Sequence, residues 1–177
     1  MIDPKLITWV PEDWGEGKKY QPSQQAALCF RLALEIHAGE KYGNAPFSYH
    51  VRDVGEAVFS MVEKALPRDA SFFLKALGYI HDAVEHHWEC QTYLREMGVH
   101  PDLIDYANIL GGKPYEGQMV MLKRRPVTRI VKVADSSRNL NASIETGEFG
   151  RIKKYSSNIE ILTSGFRNKI EFLTEEL

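Results

Sequence analysis

Residues 73–87 read FLKALGYIHDAVEHH, and this stretch sets the fold and carries the chemistry. Phe73, Leu77, Ile80 and Val84 recur at spacings of three and four, the period of a helix with one buried face. Past Ile80 the composition changes: His81, Asp82, Glu85, His86 and His87 bring three imidazoles and two carboxylates into seven residues. On a helix His81 and Glu85 project from one side, and Asp82 and His86 form a second pair offset by one residue. Adjacent His and Asp can then both reach one metal ion.

The same period extends outward in both directions. Upstream, Ser23 is a plausible N-cap for a helix carrying Ala27, Phe30, Leu34 and His37 to about Ala38. A breaker-rich loop from Gly39 to Pro46, containing Lys41, Tyr42, Gly43 and Asn44, leads to His50 at the start of a helix with Val54, Ala57, Val58, Met61 and Val62. Pro67 and Asp69 open the helix of the quoted stretch. Downstream, helical patterns cover Gln91–Met97 and Asp102–Leu110, the latter closed by Gly111, Gly112 and Pro114. Tyr115 to Arg125 follows, with Met119 and Leu122 facing in. Pro126 then opens a helix whose buried face is Val127, Ile130, Val131 and Ala134, with Asp135 continuing it. After Gly147 and Gly150, a helix from about Arg151 uses Ile152, Tyr155, Ile159 and Leu162, and a tail helix follows Gly165. Nothing resembles a strand ladder or a fixed repeat. An all-α fold is expected: residues 1–22 as an extended lead-in held by Trp9 and Trp14, and residues 23–177 as a single domain.

The 177 residues carry a net charge of -2, with 44% hydrophobic and 26% charged side chains. That balance gives no general reason to bind nucleic acid or membrane, so an anionic ligand must be held locally. The first fifteen residues contain no apolar run for a signal peptide, and no run reaches the length of about eighteen needed to span a bilayer. A cytoplasmic protein is expected, and nothing in the chain sets an oligomeric state. Cys29 and Cys90 lie far apart without CxxC spacing and read as ordinary thiols.

His50, His81, Asp82 and Asp135 lie at or near the ends of apolar helix patterns, so three helices could converge on one centre. Imidazole with carboxylate and no thiolate suits a divalent ion such as Mn, Fe or Zn with open positions. Each residue also has a plainer reading. A lone histidine such as His50 or His37 is more often a packed residue than a ligand, and Asp135 could cap a neighbouring helix or pair with Arg138. A carboxylate on that stripe is nevertheless costly to bury without a cation or several donors. His87 and His100 read as solvated or structural.

The order His50, then His81-Asp82, then Asp135 resembles the H…HD…D arrangement of the HD-domain metal-dependent phosphohydrolases. Finer features resemble their alarmone-hydrolase branch, the RelA/SpoT-type domain and its small stand-alone versions. ALEIHAGEKYGNAPFSYH (residues 33–50) is similar to that branch's helix-ending His, basic Gly-containing loop and metal His. YIHDAVEH is similar to LLHDxVED, VKVADSSRN to VKLADxxxN, and RIKKY supplies an Arg and a Tyr four apart. The resemblance covers roughly residues 25 to 165 and implies a hydrolase without a synthetase module.

The resemblance implies that His50, His81, Asp82 and Asp135 ligate one divalent ion, Mn2+ first, with Fe, Zn, Mg, Co or Ni as alternatives. Glu85 would orient or deprotonate the attacking water. Asn139 would sit near the ribose or metal, Arg151 and Tyr155 would contact the nucleotide, and Lys41 would meet phosphate. His86 stands where the family has an acid, and could shuttle a proton or donate to a phosphate oxygen. Tyr42 falls where arginine is common, and the loop from His37 to His50 is slightly short. The implied partner is a small-molecule nucleotide and the implied reaction removes pyrophosphate from the 3′ position of guanosine-3′,5′-bis(diphosphate). The alternatives are another nucleotide phosphohydrolase with the same metal centre, or a nucleotide-binding protein without turnover.

Overall fold

Pro22 has no backbone N–H to donate and fits the first helical position, where that donor has no partner within the helix. Helix α1 accordingly runs Pro22–Ile36. Gln21 is its N-cap without a side-chain cap hydrogen bond, so Ser23, the expected cap, lies inside the first turn. The computed structural model describes residues 2–3, 6–86, 89–111 and 117–174, with the backbone alone at 85 and 86. His87, Gly112, Pro114 and Tyr115 lie outside the described residues.

The chain forms two compact units, Met1–Lys113 and Pro114–Leu177. The first holds α1, the strands β1 (Lys41–Tyr42) and β2 (Ala45–Pro46), then α2 (Phe47–Val62), α3 (Arg68–Ile80), α4 (Ala83–His86), α5 (Cys90–Glu96) and α6 (Pro101–Leu110). The second holds α7 (Gln118–Lys123), α8 (Pro126–Thr146), α9 (Phe149–Thr163) and α10 (Lys169–Thr174). Among the described residues the fold is all-α except for one hairpin that the sequence pattern does not announce. Lys41 pairs with Pro46 and Tyr42 with Ala45, antiparallel, across a tip where Gly43 adopts a φ of 59°.

In the first unit α1, α2 and α3 pack on one another. The buried face of α1 is Gln25, Ala26, Cys29, Leu32 and Ala33, rotated by about one residue from the expected stripe, so that Ala27 is exposed and Phe30 and Leu34 are half-buried. Small residues on that face let the helices approach closely. Burial pushes the Cys29 thiol up, out of reach of ordinary thiolate chemistry.

α2 and α3 run antiparallel, as their matched partners require: Gly55 meets Gly78, Glu56 meets Lys75 and Tyr79, and Phe59 meets Phe72. At the crossing, a Cβ on Gly78 would stand 3.0 Å from the Gly55 Cα, and one on Gly55 would stand 2.3 Å from the Tyr79 ring. The glycines therefore set the helix separation and bring the start of α2 beside the end of α3.

The lead-in is bound to this unit through its tryptophans. The Trp14 indole N–H donates to the Asp69 carbonyl at 2.9 Å, and Trp14 and Trp9 lie 5.0 and 6.0 Å from the Phe73 ring. His100 fixes the same segment to α6. Its Nδ1 accepts from the Asp102 N–H at the helix start, and its Nε2 donates to Asp13 at 2.9 Å, which holds the Asp13 carboxyl below its ordinary value. His100 is thus structural, as its sequence context suggested.

In the second unit Pro126 opens α8 and Gly147, at a φ of 70°, closes it. Val127, Ile130, Val131, Ala134 and Asp135 are all buried, as the period requires. Inside this stripe sits Arg129, 0% exposed. Its guanidinium donates to the carbonyls of Phe172 and Lys123 at 2.7 Å each and of Glu171 at 3.4 Å, and lies 4.3 Å from the Phe166 ring centroid. One planar fork thereby ties α7, α8 and α10 together. α7 is shorter than expected, with Leu122 buried and Met119 half-buried; α9 starts two residues early, at Phe149, and buries Leu162. Among the described residues no helix is long and apolar enough to cross a membrane.

Candidate metal centre

His50 stands in the first turn of α2 and His81 directly follows α3, so the antiparallel crossing places the two side by side, ring centroids 5.5 Å apart. Both are buried, and Asp82 is partly exposed. The His50 Nε2 lies 3.3 Å and the His81 Nε2 3.1 Å from the same oxygen, Oδ2 of Asp82. One ligand atom from each residue falls within 4.8 Å of the others, and the group could hold a metal ion.

Local backbone chemistry explains the arrangement. Regular helix stops at Ile80, and His81-Asp82 form a turn before the four-residue α4, where one continuous helix was expected. His81 Nδ1 lies 2.8 Å from the Gly78 carbonyl oxygen. A continued helix would offer that carbonyl to the Asp82 N–H, so the ring competes for it, as side chains that bond locally do. The bond puts the hydrogen on Nδ1 and leaves the Nε2 lone pair facing Asp82. A lone pair opposite a carboxylate oxygen calls for a cation between them, either a proton or a metal ion. The donor set of two imidazoles and a carboxylate, with one imidazole oriented by a backbone carbonyl, fits a divalent transition ion.

Lys41, on β1, lines an open cleft of about 620 Å³ with His37, Gly39, Glu40, Asn44 and Phe47, and none of His50, His81 and Asp82 lines it. His37 is buried, stacks on Phe47 at 4.4 Å, and meets the Glu40 carboxylate through Nδ1 at 3.1 Å. Glu40 was not singled out from sequence; its spacing of three from a helix-ending His is the only trace it leaves. Tyr42 stacks on His50 at 4.4 Å.

The remaining candidates belong to the second unit. Asp135 is buried, with Lys132 Nζ at 2.9 Å from Oδ2 and the Asn139 amide donating to Oδ1. Its charge therefore meets an ammonium and an amide within α8, at spacings of three and four, rather than Arg138. Arg151 and Tyr155 are paired, the guanidinium 5.7 Å from the ring centroid. The hydrogen bond to Tyr155 raises the Arg151 pKa against the opposing effect of burial, and Glu148 at 3.2 Å adds to it. The side chains of Glu85 and His86 lie outside the described residues, and their backbone forms the end of α4. Within the first unit the structure brings together His50, His81 and Asp82, and within the second it pairs Asp135 with Asn139 and Arg151 with Tyr155.

No protein-family model matches the chain, and neither a curated protein nor a solved structure matches it.

Proposed function

We propose that this chain is an HD-type, divalent-metal-dependent phosphohydrolase acting on a nucleotide, with guanosine-3′,5′-bis(diphosphate) as substrate and pyrophosphate leaving from the 3′ position. The observation that carries this reading is the convergence of two histidine Nε2 atoms on one Asp82 oxygen, with the His81 tautomer fixed by Gly78. His50, His81 and Asp82 would hold the ion, and Asp135 of the second unit is the fourth ligand that the resemblance implies. A divalent ion, Mn2+ by that resemblance, supplies Lewis acidity toward a phosphoryl oxygen and toward water.

The chain's own residues do the rest. Lys41, the basic loop residue that the resemblance assigns to phosphate, offsets phosphate charge that a net -2 chain does not neutralise in general. Arg151, Tyr155 and Asn139 bind the nucleotide. Glu85 takes a proton from the attacking water as the water oxygen bonds to phosphorus, the bond from phosphorus to the 3′ oxygen breaks, and the departing 3′ oxygen takes up a proton to leave as a hydroxyl. His86 donates to a phosphate oxygen in place of the acid common in the family.

A second reading, nucleotide binding without turnover, is favoured by the Lys132–Asp135 pair, in which an ammonium already meets the charge of the fourth ligand. One experiment separates the two. Mn-loaded protein is offered guanosine tetraphosphate and a nucleotide panel, with phosphate and pyrophosphate followed separately. Pyrophosphate release that falls by about 10²–10⁴ in Glu85→Ala and is lost in Asp82→Ala supports the hydrolase. Tight binding with no release from any alarmone supports the binder, and release from a different nucleotide reassigns the substrate.

A further inference from the structure

Two different devices orient the two histidines of the metal group. His81 is fixed by its bond to the Gly78 carbonyl, at 2.8 Å. The His50 ring is gripped by aromatic faces. Tyr42 lies over it with centroids 4.4 Å apart and planes 17° from parallel, and Phe47 meets it edge-on at 5.4 Å and 71°. Tyr42 also meets Phe47 edge-on at 6.2 Å, so the three rings form one cluster.

Backbone geometry gives Tyr42 this place. It pairs with Ala45 in the hairpin, the hairpin runs straight into α2 at Phe47, and the Phe47 N–H donates to the Glu40 carbonyl at 3.0 Å. Hairpin, cluster and the first turn of α2 are therefore one local unit, joined at the base of the hairpin by that backbone bond. Within it the rings restrain the torsion that turns the imidazole.

We propose that Tyr42 is a positioning residue for the metal centre, its ring holding the His50 imidazole in the plane that directs Nε2 at Asp82. The proposal rests on reading His50, His81 and Asp82 as a metal centre. An imidazole binds a metal along the nitrogen lone pair, which lies in the ring plane, so rotation about the bond from Cβ to the ring carries the lone pair away from the ion. Aryl stacking does for His50 what a carbonyl does for His81, and loss of such supporting contacts typically weakens metal binding by 10–100-fold. Tyr42 is also the residue that stands where the resemblance leads one to expect arginine.

The test is a Co2+ titration of the full chain, followed by calorimetry and by the visible ligand-field absorption that reports coordination geometry. Tyr42→Phe keeps the ring and is expected to bind within about twofold of the wild type with the same band, because the stacking survives. Tyr42→Ala is expected to bind about tenfold more weakly with a shifted band. Tyr42→Leu fills the space without a flat face; it is expected to resemble Tyr42→Ala, and it carries the comparison should the alanine variant lose its circular dichroism spectrum. Wild-type affinity and band in the alanine or leucine variant would overturn the proposal while leaving the metal centre intact. A phenylalanine variant as weak as the alanine one would overturn the stacking argument. No Co2+ binding by the wild type would overturn the metal centre, and this proposal with it.

Discussion

His81 donates its Nδ1 hydrogen to the carbonyl oxygen of Gly78, three residues earlier at the end of α3, at 2.8 Å. That bond assigns the neutral tautomer and directs Nε2 at Asp82. In protein loaded with Zn2+ as a diamagnetic stand-in, nitrogen–proton correlation NMR should show His81 with a protonated Nδ1 and a metal-shifted Nε2. The opposite tautomer would remove the basis for His81 as a ligand through Nε2.

Gly55 and Gly78 set the separation of the helices that carry the two histidines. A methyl group at residue 55 would stand 2.3 Å from the Tyr79 ring, which must then move. Gly55→Ala is expected to cost about 1–3 kcal/mol, the usual cost of overpacking, and to weaken Co2+ binding along with it. Urea unfolding and a metal titration read both quantities; unchanged stability would show that the crossing is loosely packed.

Arg129 holds three backbone carbonyls with a buried charge. Arg129→Met removes the donors and leaves acceptors facing an apolar side chain, at an expected cost of about 3 kcal/mol. Arg129→Lys keeps the charge without the fork and should fall between. Hydrogen exchange should locate the loss in α7 and α10, whose ends the guanidinium joins, and uniform protection across the second unit would contradict this role.

Glu56 couples stability to pH. Burial works against its charge, but hydrogen bonds from Tyr79 at 2.6 Å and Lys75 at 3.0 Å outweigh burial and hold its carboxyl below the ordinary value. A depressed carboxyl contributes stability that is present above the unfolded value, about 4.3 for glutamate, and is lost as pH falls through the lower folded one. The Tyr79 hydroxyl is pushed up, by burial first and then by Glu56. Its contribution is present below about pH 10 and is lost on further rise. Tyr79→Phe keeps the ring against α2 and removes the donor. It should be less stable at neutral pH, with a shallower decline on both the acid and alkaline limbs. Denaturant melts across pH that superimpose on wild type would exclude this coupling.

The parts of the fold legible in the sequence are those where one helix face meets one core. Val127, Ile130, Val131, Ala134 and Asp135 are buried as their period requires, and His81-Asp82 stands where the stripe of α3 runs out. The buried face of α1 lies one residue from the periodic stripe because Phe30 and Leu34 are larger than Ala26, Cys29 and Ala33, yet close helix contact favours the smaller set. The hairpin escaped because two-residue strands have no period to detect. The Tyr42–His50 stack depends on that hairpin, and the Gly78 carbonyl belongs to the backbone, so neither leaves a side-chain signal. Arg129 leaves no signal in the sequence, because a cation within an apolar stripe is buried only where acceptors, here backbone carbonyls, meet it. For Asp135 the need for a cation or several donors is legible, but Lys132, one turn back, as one of the groups that meet it is not.

The most direct test of the metal centre is calorimetric titration of the purified protein with Mn2+, wild type against Asp82→Asn. Asparagine keeps the size and removes the charged oxygen that faces both imidazoles. Expected is one ion per chain in the wild type and at least about a hundredfold weaker binding in the variant, with the fold unchanged by circular dichroism. Equal binding by both proteins, or none by the wild type, would contradict the assignment of His50, His81 and Asp82 as metal ligands.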